Sequence, residues 1–195
     1  AEEMDLIVAL DWMMLEQVCA FFGAHRELDG CAVSVNFSAR QFLAPDAERR
    51  VLDTLERHGL APVRLKLELT ERVLAGDIRR VRAVMEALAA RGVEFYLDDF
   101  GTGYSNLSSV VSLPLQYVKV DRSLLEAATN GGGGALLLRA VVETFRAMGR
   151  GILLEGVETP EQYALACTLR ADRLQGYYLA RPMPGEELCA LMCSG

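Results

Sequence analysis

The sequence predicts an α/β fold, a (β/α)8 TIM-like barrel that is incomplete at its N-terminal end. Strand-like and helix-like segments alternate along nearly the whole chain, a pattern that calls for a parallel sheet wound in one direction. The strand-like segments end, one after another, on charged or amide side chains. Length sets the bound: 195 residues, 51% of them hydrophobic, suit one domain with a buried core. Only about six strands are visible, whereas an eight-stranded barrel takes about 250 residues. Periodicity alone leaves an open doubly wound sheet as the alternative.

The chain opens on a helix rather than a strand. From about Met4 to His25, Ile7, Leu10, Met14, Val18 and Phe21 recur at helical spacing and mark an expected buried stripe. A strand follows over Cys31 to Phe37, then a helix from Ala47 to His58 that Gly59 stops. Leu65 to Leu69 alternates as a strand, and Asp77 to Arg91 reads as a helix ended by Gly92. The apolar run Val93, Phe95 and Leu97 makes a strand that closes on Asp98, with a short helix expected after Tyr104. Tyr117 to Val120 and Gly151 to Glu155 are the next strands, with a helix from Ala135 to Met148 between them. The run Gly131 to Gly134 before that helix reads as a mobile loop. Thr159-Pro160-Glu161-Gln162 combines an N-cap, an N1 proline and a capping-box glutamine, so a helix starts there. A short strand at Arg173 to Gln175 and a helix from Gly185 complete the chain.

The formal net charge of −7 disfavours nucleic-acid polymers and anionic membranes, which need a basic face. No uncharged apolar run approaches the roughly 18 residues of a bilayer span. Glu2, Glu3 and Asp5 occupy the start where a signal peptide would be basic. The five cysteines are odd in number and lack C-x-x-C spacing, which suits free thiols in a reducing cytoplasm. The expected location is therefore the cytoplasm, as a soluble protein or as the cytoplasmic part of a membrane-bound sensor.

Asn36, Glu68, Asp98 with Asp99, Lys119 followed by Asp121, Glu155 and Gln175 all fall at C-terminal strand ends. In a barrel those ends converge on the face where active sites are built. Neighbouring acids such as Asp98 and Asp99 persist most easily with a cation between them, and the glycines that follow let the backbone turn. Hard oxygen donors without a His or Cys cluster suit Mg2+, Mn2+ or Ca2+ rather than zinc. His25 and His58, the only histidines, lie near helix C-termini, where they are expected to complement the helix dipole. Gly101-Thr102-Gly103 lacks the third glycine of a dinucleotide fingerprint, and Asp99-Phe100-Gly101 lacks the rest of a kinase.

Several motifs in order resemble those of EAL-type cyclic-di-GMP phosphodiesterase domains. Asn36-Phe37-Ser38-Ala39-Arg40-Gln41 resembles N-x-S-x-x-Q, and Glu68-Leu69-Thr70-Glu71 resembles E-x-T-E. Asp98 to Leu107 (DDFGTGYSNL) is similar to the family's most distinctive stretch. Leu113-Pro114 with Val118-Lys119-Val120-Asp121, Glu155-Gly156-Val157-Glu158-Thr159 with Gln162, and Gln175-Gly176-Tyr177 with Arg181-Pro182 continue the resemblance. The EAL signature itself is absent, since Glu86-Ala87-Leu88 spells the letters in mid-helix. The opening Ala1-Glu2-Glu3 resembles a segment that follows the true signature, so the first strand and its metal-binding glutamate are expected to be missing. Trimming, disorder and natural degeneracy remain open as reasons.

The resemblance implies one barrel domain over residues 1–195, part of a longer signalling protein, that opens cyclic-di-GMP to linear pGpG. It implies two Mg2+ or Mn2+ ions, held by Asn36, Glu68, Asp98, Asp99 and Glu155, that neutralise the phosphate and activate a water. Lys119 would hold that water, and Glu155 is ligand or base. Glu71 would act through the loop Gly101, Thr102, Gly103, Tyr104 and Ser105, while Glu158 and Gln175 would orient substrate or the metal ligands. A homodimer and sensor or GGDEF modules are the further partners implied. The alternative is a catalytically silent receptor that binds cyclic-di-GMP and signals by conformation.

Overall fold

The computed structural model describes residues 2–70, 77–101 and 110–193, with side chains from Val8 onward. Six strands appear among the described residues, and their order in the sheet is their order in the chain. Every pairing with a described register is parallel. An open doubly wound sheet reverses its strand order near the middle, so this sequential winding identifies the (β/α)8 barrel type with six of its eight strands. The chain divides into two compact units, residues 1–95 with 183–195, and residues 96–182. The short helix expected after Tyr104 falls largely outside the described residues.

The first unit begins with helix α1 (Glu2–Ala24). Strand β1 (Val33–Asn36) and helices α2 (Ala39–Leu43) and α3 (Ala47–Arg57) follow. Strand β2 (Leu65–Thr70), helix α4 (Ile78–Ala89) and the start of strand β3 (Glu94–Phe100) come next, and the helix Gly185–Cys193 closes the unit. The α1 stripe differs from expectation. Trp12, Leu15, Cys19 and Phe22 are buried, while Leu10 and Met14 are about half exposed, at 47% and 52%. This helix is apolar around most of its circumference, so several stripes fit the spacing. Glu16 distinguishes them, because its carboxylate faces α3 and takes bonds from Arg57 Nη1 at 2.7 Å and His58 Nε2 at 2.6 Å. A third bond comes from Thr54 Oγ1 at 3.2 Å. Gly23, about two turns further on, has no side chain where a Cβ would stand 2.0 Å from the His58 carbonyl oxygen.

His25 matches the helix-end expectation, with Nδ1 2.8 Å from the Phe21 carbonyl oxygen. His58 caps α3 but spends its ring on Glu16 instead of on the helix carbonyls. The Trp12 ring meets Phe37 edge-on at 5.3 Å, and Phe37 meets Phe42 at 4.7 Å. Ser38 and Gln41 form a full capping box on α2, a helix the periodicity does not reveal because it is only five residues long. Strand β2 is buried from Leu65 to Leu69, on both faces, as expected of a covered parallel strand and not of the half-exposed alternation its sequence shows. Lys66 is accommodated there by a 2.8 Å ion pair with Glu94 and a 2.7 Å bond to the Val63 carbonyl.

The second unit holds the rest of β3, then β4 (Tyr117–Val120), α5 (Arg122–Thr129) and α6 (Gly134–Ala147). Strand β5 (Gly151–Leu154), helix α7 (Pro160–Thr168) and strand β6 (Arg173–Leu174) complete it. Helix α5 has no counterpart in the sequence reading. Asp121 starts it by accepting a bond from the Ser123 N–H at 2.9 Å. The four-glycine run is not simply a loop: Gly134 opens α6 and lies against α5, where a Cβ would sit 2.2 Å from the Ala127 carbonyl oxygen. The capping box expected at α7 is present, with Thr159 Oγ1 accepting from the Gln162 N–H at 3.2 Å. At the N-terminal end of the sheet, Arg173 lies over the Tyr117 ring at 4.3 Å and donates to the Tyr96 hydroxyl.

Candidate metal centre and adjoining cleft

Asp98 and Asp99 do not end β3; the strand runs on to Phe100. Its register with β4 pairs Leu97 with Val118 and Phe100 with Val120. Two residues, Asp98 and Asp99, therefore stand opposite one, Lys119. That is a β-bulge, and it solves a geometric problem. In a regular strand consecutive side chains point to opposite faces, so two adjacent acids could not serve one site. The extra residue here takes a left-handed conformation, with Asp99 at φ 57°, one of the few side chains that tolerates it. Asp99 N–H donates to Asp98 Oδ1 at 3.0 Å, which fixes the kink.

Three carboxylates meet as a result. Oxygens of Asp98, Asp99 and Glu155 all lie within 4.8 Å of one another, a spacing that can hold a metal ion. Glu155 arrives from the end of β5, where its N–H continues the ladder by donating to the Val120 carbonyl at 3.1 Å. Lys119 projects from β4 between two of the acids, with Nζ 2.8 Å from Asp98 Oδ1 and 2.8 Å from Glu155 Oε1. Its side chain is 5% exposed, against 13% for Asp98 and 15% for Glu155. Three carboxylates and one ammonium leave a formal charge of about −2, which a divalent cation would neutralise. Donor chemistry agrees: all three are hard oxygens, suited to Mg2+, Mn2+ or Ca2+.

Beside this cluster lies a cleft of about 500 Å3 that Glu155, Glu158 and Gln175 line together. Asp121, Arg122, Tyr177, Arg181 and Pro182 also line it. Arg122 reaches Glu126 Oε1 at 2.8 Å and Glu158 Oε1 at 3.4 Å, both as exposed pairs. Burial acts against the charge of Asp121, but bonds from Ser123 and the neighbouring Arg122 outweigh it and hold its carboxyl below the usual range. Arg122 was not singled out from the sequence; the clue available was its place directly after the β4 end, beside Lys119 and Asp121.

Asn36 and Glu68 face each other in register at the C-terminal ends of β1 and β2 in the first unit. Asn36 is exposed and Glu68 is buried. Glu71, Thr102, Gly103, Tyr104 and Ser105 lie outside the described residues. Gly101 is described, and at φ 110° it makes the turn that the glycine pair suggested.

Comparison with known proteins agrees with this geometry. The chain is 35% identical over 195 residues to the bifunctional diguanylate cyclase/cyclic di-GMP phosphodiesterase MucR of Pseudomonas aeruginosa, covering 97% of this chain and 28% of that protein. It is 32% identical to the cyclic di-GMP phosphodiesterase PdeL of Escherichia coli K12, over 96% of this chain and 52% of PdeL. The chain spans about a quarter of the length of the first curated relatives it matches, 28%, 24% and 23%. In three dimensions it matches the PaMucR phosphodiesterase in complex with c-di-GMP at a TM-score of 0.86, with 36% identity over 96% of this chain and 77% of that one. Klebsiella pneumoniae BlrP1, solved as a manganese/cy-diGMP complex, matches at 0.78 with 27% identity, over 87% of this chain and 43% of BlrP1. No helix among the described residues is long and apolar enough to cross a membrane. Residues 1–182 match the EAL domain, and the chain belongs to the EAL domain family.

Proposed function

We propose that this chain is the hydrolase domain of a longer signalling protein and cleaves cyclic-di-GMP to linear pGpG. One observation carries the reading: the β3 bulge gathers Asp98, Asp99 and Glu155 around the Lys119 ammonium at the C-terminal strand ends. The known proteins it resembles include the cyclic di-GMP phosphodiesterases MucR and PdeL, and BlrP1, which was solved as a manganese/cy-diGMP complex.

Asp98, Asp99 and Glu155 would hold Mg2+ or Mn2+, and the family motif adds Asn36 and Glu68 as ligands to complete a pair of ions. When bound, the cations supply positive charge for the phosphodiester and for the attacking water. Lys119 keeps Asp98 and Glu155 in place and would hold that water through its oxygen, a task for a compact ammonium. Glu155 takes the water's proton as the water oxygen bonds to phosphorus. The bond from phosphorus to the 3′ oxygen would break, that oxygen taking a proton from solvent, which yields a 3′-hydroxyl and a 5′-phosphate end. Glu158 and Gln175, in the cleft beside Glu155, orient the rest of the dinucleotide. Glu71 and the loop from Gly101 to Ser105 shape the metal ligands.

The test is hydrolysis of cyclic-di-GMP with Mn2+ or Mg2+, read as pGpG by chromatography, for the wild type and Asp98→Asn. Loss of product in D98N supports the assignment, and unchanged turnover overturns it. Binding without any pGpG from the wild type, or from a longer form that begins with an EAL signature, makes the domain a receptor. Substitution of Asn36 and Glu68 by Ala tests their ligand roles through manganese affinity. Sedimentation tests the homodimer, and the full gene tests for sensor or GGDEF modules.

A further inference from the structure

One layer beneath the acid cluster, the same face of the sheet carries a set of contacts that the reaction does not use. Side chains two residues apart on a strand share a face, so Tyr96 lies below Asp98, Tyr117 below Lys119 and Arg173 below Gln175. Tyr96, Tyr117 and Gly151 stand in one row, each in register with the next. Gly151 leaves its place in that row empty, because a Cβ there would fall 2.4, 2.7 and 2.9 Å from atoms of the Tyr117 ring. The ring uses the space and leans over β5. Arg173 reaches back from β6, its guanidinium 4.3 Å from the Tyr117 ring centroid and 5.5 Å from that of Tyr96. Its Nη1 donates to the Tyr96 hydroxyl, and the two tyrosine rings lie 4.8 Å apart.

Strands β3 and β6 are not neighbours; β4 and β5 stand between them. Three strand spacings come to about 14 Å on a flat sheet, and side chains stand roughly perpendicular to it, so Tyr96 and Arg173 would not meet there. They meet because the sheet curls, and their contact is a chord across the curl. The same curl brings Asp98, Asp99 and Glu155, from β3 and the end of β5, within 4.8 Å of one another. Without a cation those acids repel, and flattening of the sheet would relieve them. The chord opposes that flattening. We propose that Arg173 is a positioning residue for the metal centre, holding β3 and β6 together through Tyr96 and Tyr117 so that the acids stay close enough to share a cation. The proposal rests on the phosphodiesterase reading above for the use made of that cation.

The experiment titrates Mn2+ calorimetrically into wild type, Arg173→Met, Arg173→Lys and Tyr96→Phe, with melting temperatures in chelator as the measure of stability. Arg173 is exposed and Tyr96→Phe removes only a hydroxyl, so the variants keep the core. The expected result is manganese bound about tenfold more weakly by R173M, with a smaller loss in Y96F and recovery in R173K. A role in stability alone would lower the melting temperature in chelator and leave the affinity where it was, so unchanged affinity in R173M overturns the proposal. A wild type that binds manganese but makes no pGpG overturns the phosphodiesterase reading, and the affinity of R173M still decides the positioning role. Should wild type bind no manganese, crystal structures of wild type and R173M decide it. Asp98 and Glu155 farther apart in R173M support the role, and equal spacing overturns it.

Discussion

Replacing Lys119 by Met removes an ammonium and keeps most of its apolar volume. The wild-type cluster holds two 2.8 Å contacts from Nζ, to Asp98 and Glu155, on a side chain 5% exposed. At an effective dielectric of about 20, each contact is worth about 6 kcal/mol of gross attraction. Desolvation of the three groups cancels most of that. What survives when one partner of a buried pair is removed is about 3–5 kcal/mol of lost stability. For a domain of this size that corresponds to a melting temperature lower by about 6–20 °C. The three acids then carry a formal charge of about −3 instead of −2, so a divalent cation becomes worth more to the folded state. Calorimetric melts of wild type and K119M, each in chelator and in excess Mn2+, read both effects. The variant should melt lower in chelator and gain more from manganese than wild type does. Equal melting in chelator, or equal gains from manganese, would show that the ammonium does not offset the acids.

Other expectations follow from single contacts. The bonds from Arg57 and His58 depress the Glu16 carboxyl from 4.5 to about 2, against the opposing effect of desolvation. A depressed folded value stabilises above the unfolded value and is lost as the pH falls through the range between them. Denaturant melts should therefore show wild type losing about 1 kcal/mol more than Glu16→Gln between about pH 5 and pH 2.5, once solvent screening of this part-exposed group is allowed for. Gly23→Ala forces a methyl toward the His58 carbonyl at 2.0 Å and should cost about 1–3 kcal/mol in the same assay, with α1 and α3 prised apart. Asp99→Asn keeps a side chain that tolerates the left-handed backbone, so it should fold normally yet bind manganese more weakly by titration. Asp99→Ala should lose about 1 kcal/mol of stability as well.

Much of the architecture was legible because each strand and most helices carry their own punctuation. The Thr159 capping box, the glycine stops at 59 and 92, and the acids at successive strand ends are local signals that survive in any packing. What sequence could not carry was the choice between equally apolar faces. Helix α1 has apolar residues on most sides, and the contact from Glu16 to α3, a long-range fact, decides which ones are buried. Strand β2 misleads for a related reason: Lys66 alternates like a solvent residue but is buried because Glu94 meets it 28 positions later. Helix α5 was missed since its eight residues fall between a strand and a glycine run that both read as something else. At the site, Asp98, Asp99, Lys119 and Glu155 could be named from their positions, but how two neighbouring acids reach one point was invisible without the register. Of the cleft residues, Arg181 stood in the Arg181-Pro182 motif, whereas Arg122 was hidden by ordinariness, as an arginine without a pattern of its own.

The bulge in β3 also has a consequence for how this domain can change over generations. Removal of residue 99 alone would leave Leu97, Asp98 and Phe100 opposite Val118, Lys119 and Val120, an uninterrupted ladder with every other pairing kept. The sheet gains nothing from the inserted residue and is more regular without it. A deletion of a single codon is therefore a nearly silent event for folding and a severe one for the acid cluster. It offers a one-step route to a folded domain that has lost one carboxylate, and unlike a substitution at that position it removes the kink as well.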